Sequence, residues 1–188
     1  MLVNFASLIL AGRAGNVMSF PTDTVPALAV QPEYGTKIYE CKNRPPDKPL
    51  ILMAAEVGAF MPWIAPGLSI PWAALAQTYW PGALTIVLPA SERVTPAINP
   101  QNTGTIGLRI PNHPIALAVL QQTGVLATTS ANFSGEPPLL TAGEISTQFP
   151  DVAVWSGDYQ GSGRPSTVIT WQDGEWQIVR QGSVYLSA

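Results

Sequence analysis

Three short stretches of the 188-residue chain carry side chains suited to chemistry on anions. The first is Lys42-Asn43-Arg44-Pro45-Pro46-Asp47-Lys48, where two prolines make a rigid loop expected to present its three cations. Lysine offers a compact charge and arginine a planar fork, a combination suited to a polyphosphate or a carboxylate. A solvated basic loop explains such a triplet equally well. The second stretch is Thr128-Thr129-Ser130-Ala131-Asn132, continued by Phe133-Ser134-Gly135. Hydroxyl, amide and exposed backbone N–H groups there can hold phosphate or carboxylate oxygens; a plain Ser/Asn turn is the alternative. The third is Pro21-Thr22-Asp23-Thr24, for which a cap or turn is the default reading. Arg109, Ser166-Thr167 and Arg180 stand singly at the ends of apolar runs. Each reads alone as a surface residue, and several from separate strands could converge on one concave face.

Other chemistry is poorly provided for. Cys41, beside Lys42, is the one cysteine and reads as a small packing residue. His113, the one histidine, precedes Pro114 at an expected helix start. Neither a GxxxxGK[ST] nor a GxGxxG fingerprint occurs, and no Ser-His or Cys-His set is available for covalent catalysis. No disulfide framework, Cys-based zinc site or His cage can be assembled, so no protein-bound metal is expected. The charged fraction is 11%, against roughly 25% in an ordinary domain. A net charge of −3 argues against a dedicated nucleic-acid binder. Residues 57–91 carry no charge, but Pro62, Pro66, Pro71, Pro81 and Pro89 interrupt them. No window supplies the run of about 20 apolar residues that a spanning helix needs. The N-terminal apolar run has no basic residue before Arg13, unlike a signal peptide. The expectation is a soluble, cytoplasmic protein with no membrane contact.

The elements that must position these residues follow from periodicity. Leu2, Phe5, Leu8 and Ile9 have helical spacing, with Gly12 and Gly15 to end the helix. Strands are expected at 16–20, 27–30, 50–53, 84–88, 105–110, 125–128, 167–171 and 176–179, and helices at 33–41, 69–79 and 114–123, the last opened by Pro114. Asp173-Gly174 marks a turn between the last two strands, which should pair antiparallel. Alternating strands and helices predict an α/β fold with a mixed parallel and antiparallel sheet. No repeat or linker divides the chain, so residues 1–188 are read as a single domain, with 158–165 as a flexible surface loop.

In order, the stretches FPTDTV (20–25), KNRPPDKPLIL (42–52), WPGALTIVLP (80–89), TIGLRIPNHP (105–114), TTSANFSG (128–135), STVI (166–169) and VRQG (179–182) resemble the YrdC-like family, the threonylcarbamoyl-adenylate synthases of tRNA modification. The resemblance implies an open, twisted sheet with flanking helices and a concave ligand face, in the short bacterial form. It implies a nucleotidyltransferase that joins L-threonine, bicarbonate or CO₂, and ATP into threonylcarbamoyl-AMP and pyrophosphate. A separate transferase then passes the group to tRNA. The family's Lys-x-Arg and Ser-x-Asn signature falls on Lys42, Arg44, Ser130 and Asn132, implied as catalytic. Arg44 and Lys48 would hold the triphosphate, with Lys42 near the α-phosphate, and Thr105, Asn132 and Arg180 would complete the ATP site. Thr22, Arg109, Ser130 and Ser166 would hold threonine, Arg109 through its carboxylate. Mg²⁺ would come with ATP, held largely by substrate oxygens and water.

The family usually has an aromatic residue and a Gly where this chain has Pro26 and Ala27, which should alter the wall of the amino-acid pocket. Longer members carry a His where Met53 stands. Two other readings stay open: a non-enzymatic module binding double-stranded RNA or tRNA, and a relative that adenylates a different carbamoylated compound.

Overall fold

Proline, glycine and polar turns cut the apolar runs short, leaving strands of two to six residues. The sheet therefore gains its width from the number of strands rather than their length. The computed structural model describes residues 1–186. Its elements are β1 (Leu2–Val3), α1 (Phe5–Arg13), β2 (Met18–Phe20), β3 (Ala27–Val30), α2 (Thr36–Lys42), β4 (Ile51–Met53), α3 (Trp72–Tyr79), β5 (Leu84–Pro89), β6 (Thr105–Arg109), α4 (Pro114–Thr123), β7 (Leu126–Ser130), α5 (Ala142–Gln148), β8 (Ala153–Trp155), β9 (Thr167–Gln172) and β10 (Glu175–Arg180). The ten strands form one sheet in the order β1-β8-β2-β3-β7-β4-β6-β5-β9-β10. Parallel pairs (β1–β8, β2–β8, β4–β6, β5–β9) mix with antiparallel ones, and β9–β10 is the expected antiparallel hairpin. The α/β class with an open mixed sheet is thus what the structure shows.

Helices cover the two faces unequally, and this makes the site. On one face Leu8 and Ile9 of α1 and Ala116, Val119 and Leu120 of α4 pack on Met18, Phe20, Ala27, Ala29 and Leu126. On the other, Ile38 of α2, Ala76 of α3 and Ile145 of α5 belong to a larger cluster with Leu28, Leu52, Ile86 and Leu108. Strand alternation places Ala27, Thr128, Ser130, Ile51, Met53 and Arg109 on the α1/α4 face, in register across β3, β7, β4 and β6. Among the described residues no other helix joins the cluster on this face, and a concave floor remains.

Several expectations shift. Leu2 and Val3 form a short parallel strand on β8, and the first helix starts at Phe5, where the Asn4 side chain caps Ser7 N at 2.9 Å. The helix expected at 33–41 divides into a 3₁₀ turn, Pro32–Tyr34, and α2. Lys42 is therefore the last residue of a helix and is buried, not presented on a loop. Helix α5 and strand β8 were not expected; α5 is opened by a capping box between Thr141 and Glu144. The 158–165 loop is tied down: Ser162 N donates to Asp23 O at 3.0 Å, Gly163 N to Thr24 O at 2.9 Å and Tyr159 OH to Ser19 O at 3.1 Å. No helix among the described residues is long and apolar enough to cross a membrane.

Candidate active site

A cavity of about 650 Å³ lies on the concave face. Its floor is Ala27, Ile51, Met53 and Thr128, and its rim comes from the 24–26, 44–49 and 165–166 segments and the end of β10. Four of the chain's nine basic residues line it, Arg44, Lys48, Arg109 and Arg180, against one carboxylate, Asp47. A concave site with this balance attracts anions, and its low-dielectric walls concentrate the effect.

Arg44 reaches the cavity because α2 ends sharply. Asn43 adopts the left-handed conformation (φ 49°), Asn43 N donates to Glu40 O at 3.3 Å and Arg44 N to Tyr39 O at 3.0 Å, a Schellman motif that turns the chain off the helix axis. The guanidinium is then fixed by Nε to Lys48 O (2.8 Å), Nη1 to Thr129 Oγ1 (3.2 Å) and Nη2 to Pro49 O (2.9 Å). These bonds use three of its five N–H groups and leave two for a ligand. Burial lowers the Arg44 pKa, yet an arginine stays charged. The Lys48 side chain is exposed on the same wall.

Lys42 points elsewhere. It is 2% exposed, and its Nζ donates to Ser130 O (2.5 Å), Asn132 Oδ1 (2.8 Å) and Ser130 Oγ (3.4 Å). Ser130 Oγ also donates to Asn132 Oδ1 at 2.6 Å, and Asn132 Nδ2 donates to Glu136 O. The four signature residues thus meet around the end of β7, but only Arg44 and Ser130 line the main cavity. Lys42 lies behind them, beside a second hollow of about 340 Å³ shared with Phe133 and Ser134. Burial, aided by the charges of Arg44 and Lys48, lowers the Lys42 pKa to about 7.

Arg109 lies at the opposite end and is 3% exposed. It donates from Nε to Gly82 O (3.0 Å), from Nη1 to Thr24 Oγ1 (2.8 Å) and from Nη2 to Asp23 Oδ1 (2.6 Å). Burial lowers its pKa and the Asp23 carboxylate opposes that effect. Thr22 shapes the same turn, donating from Oγ1 to Val25 O at 2.7 Å, but it borders a small hollow of about 120 Å³ behind the turn rather than the main cavity. Ser166 lines the cavity, shares a 2.8 Å hydroxyl contact with Thr85, and accepts at its carbonyl from Arg180 Nη2 at 3.0 Å. A bulge between Ile178 and Arg180 turns both Val179 and Arg180 onto the cavity wall. Thr105 lies outside the lining, its hydroxyl 3.1 Å from that of Thr103. Asp23, Thr24, Thr129 and Gly82 were not singled out as site residues, although all four lie in motif stretches.

The remaining candidates have structural roles. His113 caps α4, its Nδ1 accepting from Ile115 N at 3.2 Å, and burial lowers its pKa. Burial pushes the Cys41 thiol up to about 11, which is the opposite of activation.

Residues 11–182 match the family model described as "Telomere recombination", the Sua5/YciO/YrdC domain. The chain belongs to the Sua5/YciO/YrdC family. A Vibrio campbellii relative named threonylcarbamoyl-AMP synthase is 33% identical over 187 residues, covering 95% of this chain and 99% of its own length. A Bacillus subtilis relative of the same name is 34% identical over 92% of this chain, which spans 51% of that longer protein. Among solved structures of the family, P. abyssi Sua5 complexed with L-threonine superposes with a TM-score of 0.86 at 30% identity, covering 97% of this chain and 57% of its own.

Proposed function

We propose that this chain is a threonylcarbamoyl-AMP synthase, forming threonylcarbamoyl-AMP and pyrophosphate from L-threonine, bicarbonate or CO₂, and ATP. The observation that carries the reading is a single cavity with two differently built cationic ends, in a chain whose full-length relative bears that name. Threonine's amine is first carboxylated to a carbamate, whose oxygen attacks the α-phosphorus of ATP in line and expels pyrophosphate. Both partners are anions, so the barrier lies largely in bringing negative charge together and aligning it. Arg44, Lys48 and Arg180 supply fixed positive charge for the triphosphate. Arg109 offers its two unused N–H groups to the threonine carboxylate, with Ser130 and Ser166 as hydroxyl neighbours on the same wall. Lys42 and Asn132 act through Ser130, holding the end of β7 in place. Thr22 sets the turn that carries Thr24 and Asp23, and Thr105, outside the cavity lining, has no part in this reading. Mg²⁺ enters as part of the substrate. With Asp47 as the one carboxylate on the wall, the donor set suits an ion carried by phosphate oxygens and water.

The product is a reactive mixed anhydride, which calls for a second protein, a transferase, to deliver the threonylcarbamoyl group to tRNA. We place this sequence in the cytoplasm. The test follows pyrophosphate release from ATP and Mg²⁺ while threonine or bicarbonate is omitted in turn. Release that depends on both supports the reading, and release that needs neither overturns it.

A further inference from the structure

Among the described residues, Arg109 with Asp23 is the one side-chain ion pair. Of the other cavity cations, the two arginines have neutral partners. Arg44 donates to two carbonyls and a hydroxyl, and Arg180 to the carbonyl and hydroxyl of Ser166. Asp47, the carboxylate on the wall, forms no ion pair with any of them. The asymmetry is built in rather than incidental. Asp23 Oδ1 also accepts from Asn112 N at 3.1 Å, and its backbone is held by Ser162 N at 3.0 Å. Gly161 packs so closely behind the turn that an added Cβ would lie 2.5 Å from Thr24 O. The carboxylate therefore has little freedom to leave Arg109.

We propose that Asp23 sorts anions between the two ends of the cavity: by neutralising Arg109 it reserves that end for a monocarboxylate and leaves phosphate groups to Arg44, Lys48 and Arg180. Arg109 keeps two N–H groups, enough for directed hydrogen bonds to one carboxylate. A pyrophosphate or triphosphate carries several charges, and beside Asp23 it meets a fixed negative charge in a poorly solvated site, where repulsion is strong. At the other end Asp47 acts on Arg44 through its charge but pairs with none of the cations, so all three stay available to phosphate. The inference rests on the threonine-and-ATP reading above and adds to it the residue that keeps the two substrates from exchanging places.

The test is calorimetric titration of the whole chain with L-threonine and with ATP, each with and without pyrophosphate. In the wild-type protein pyrophosphate should displace ATP while the threonine Kd stays within about twofold. In Asp23→Asn, pyrophosphate should compete with threonine and weaken its apparent binding at least about tenfold at the same concentration. Asp23→Glu, which keeps the charge, should restore the wild-type pattern. A purely structural role for Asp23 would lower threonine and ATP binding together and create no new competition. The proposal is overturned if pyrophosphate competes with threonine in the wild type, an arm that stands even where Asp23→Asn does not fold. It is equally overturned if the folded Asn variant shows no competition. A wild-type protein that binds neither L-threonine nor ATP removes the functional reading itself. One that binds both, with either overturning result, removes only the sorting role.

Discussion

Replacing Arg44 by alanine separates a binding role from a folding one. The side chain makes three hydrogen bonds, two to carbonyls of the 48–49 segment and one to Thr129 Oγ1, all at the cavity rim. Water can reach these acceptors once the guanidinium is gone, so the stability cost should stay near a net hydrogen bond or two, about 1–2 kcal/mol. The cost to the reaction is larger. Two N–H groups remain free for a phosphate in a partly desolvated wall, and losing a preorganised donor of this kind costs about 3–4 kcal/mol, on the order of 10²–10³-fold in rate. Arg44→Lys restores charge without the fork that fits three fixed acceptors, so it should recover only part of the loss. The assay is pyrophosphate release against ATP concentration, with a thermal melt on each variant. An alanine variant with a native melt and kcat/KM for ATP within about threefold of wild type refutes the assignment.

Three further outcomes are expected. Lys42 has a folded pKa of about 7 against an ordinary 10.5, so between those values the unfolded chain binds a proton that the folded chain does not. Stability should therefore gain from this residue as pH rises through that window and be fully penalised below it; denaturant titrations of Lys42→Met across pH should lack that rise. Gly82 donates its N–H to Ile110 O and accepts Arg109 Nε, while a Cβ there would lie 2.4 Å from Tyr79 O. Gly82→Ala should cost about 1–3 kcal/mol and raise KM for threonine more than for ATP, measured by melts and steady-state kinetics. Thr141→Ala removes the N-cap of α5, outside the cavity lining, and should lower stability by about 1 kcal/mol in urea titrations with kcat/KM unchanged.

What the sequence could disclose depended on how local the cause was. Helix α4 and strand β3 keep their expected bounds because prolines punctuate them, Pro114 opening one and Pro26 and Pro32 flanking the other. Strand β1 could not be read, since two residues become a strand only through parallel pairing with β8, some 150 positions away. The capping box of α5 is written in Thr141 and Glu144, but the stretch around them has little apolar periodicity to announce a helix. The site divides in the same way. Residue types drew attention to the stretches, the family resemblance assigned Arg44, Ser130, Arg109 and Ser166 within them, and the fold brings those four to one cavity. Partnerships were invisible, for Arg109 meets Asp23 across 86 positions and Lys42 meets Asn132 across 90.

Sparse charge gains its meaning from those partnerships. In a domain of ordinary composition, exposed carboxylates would surround a cationic cavity and cancel much of its field over about a Debye length of 10 Å at 0.1 M salt. Here the run 57–91 has no charge, and twelve Asp or Glu serve the whole chain. Of these, Asp47 reaches the cavity wall without pairing and Asp23 is committed to Arg109. Arg44, Lys48 and Arg180 are thus tempered by Asp47 at a distance but tied to no carboxylate. Two carboxylate positions, rather than the total of cations, set where that field is strong and where it is cancelled. A cavity that must hold a polyanion beside a monocarboxylate needs that gradient, because a uniformly positive wall would fill at both ends with phosphate.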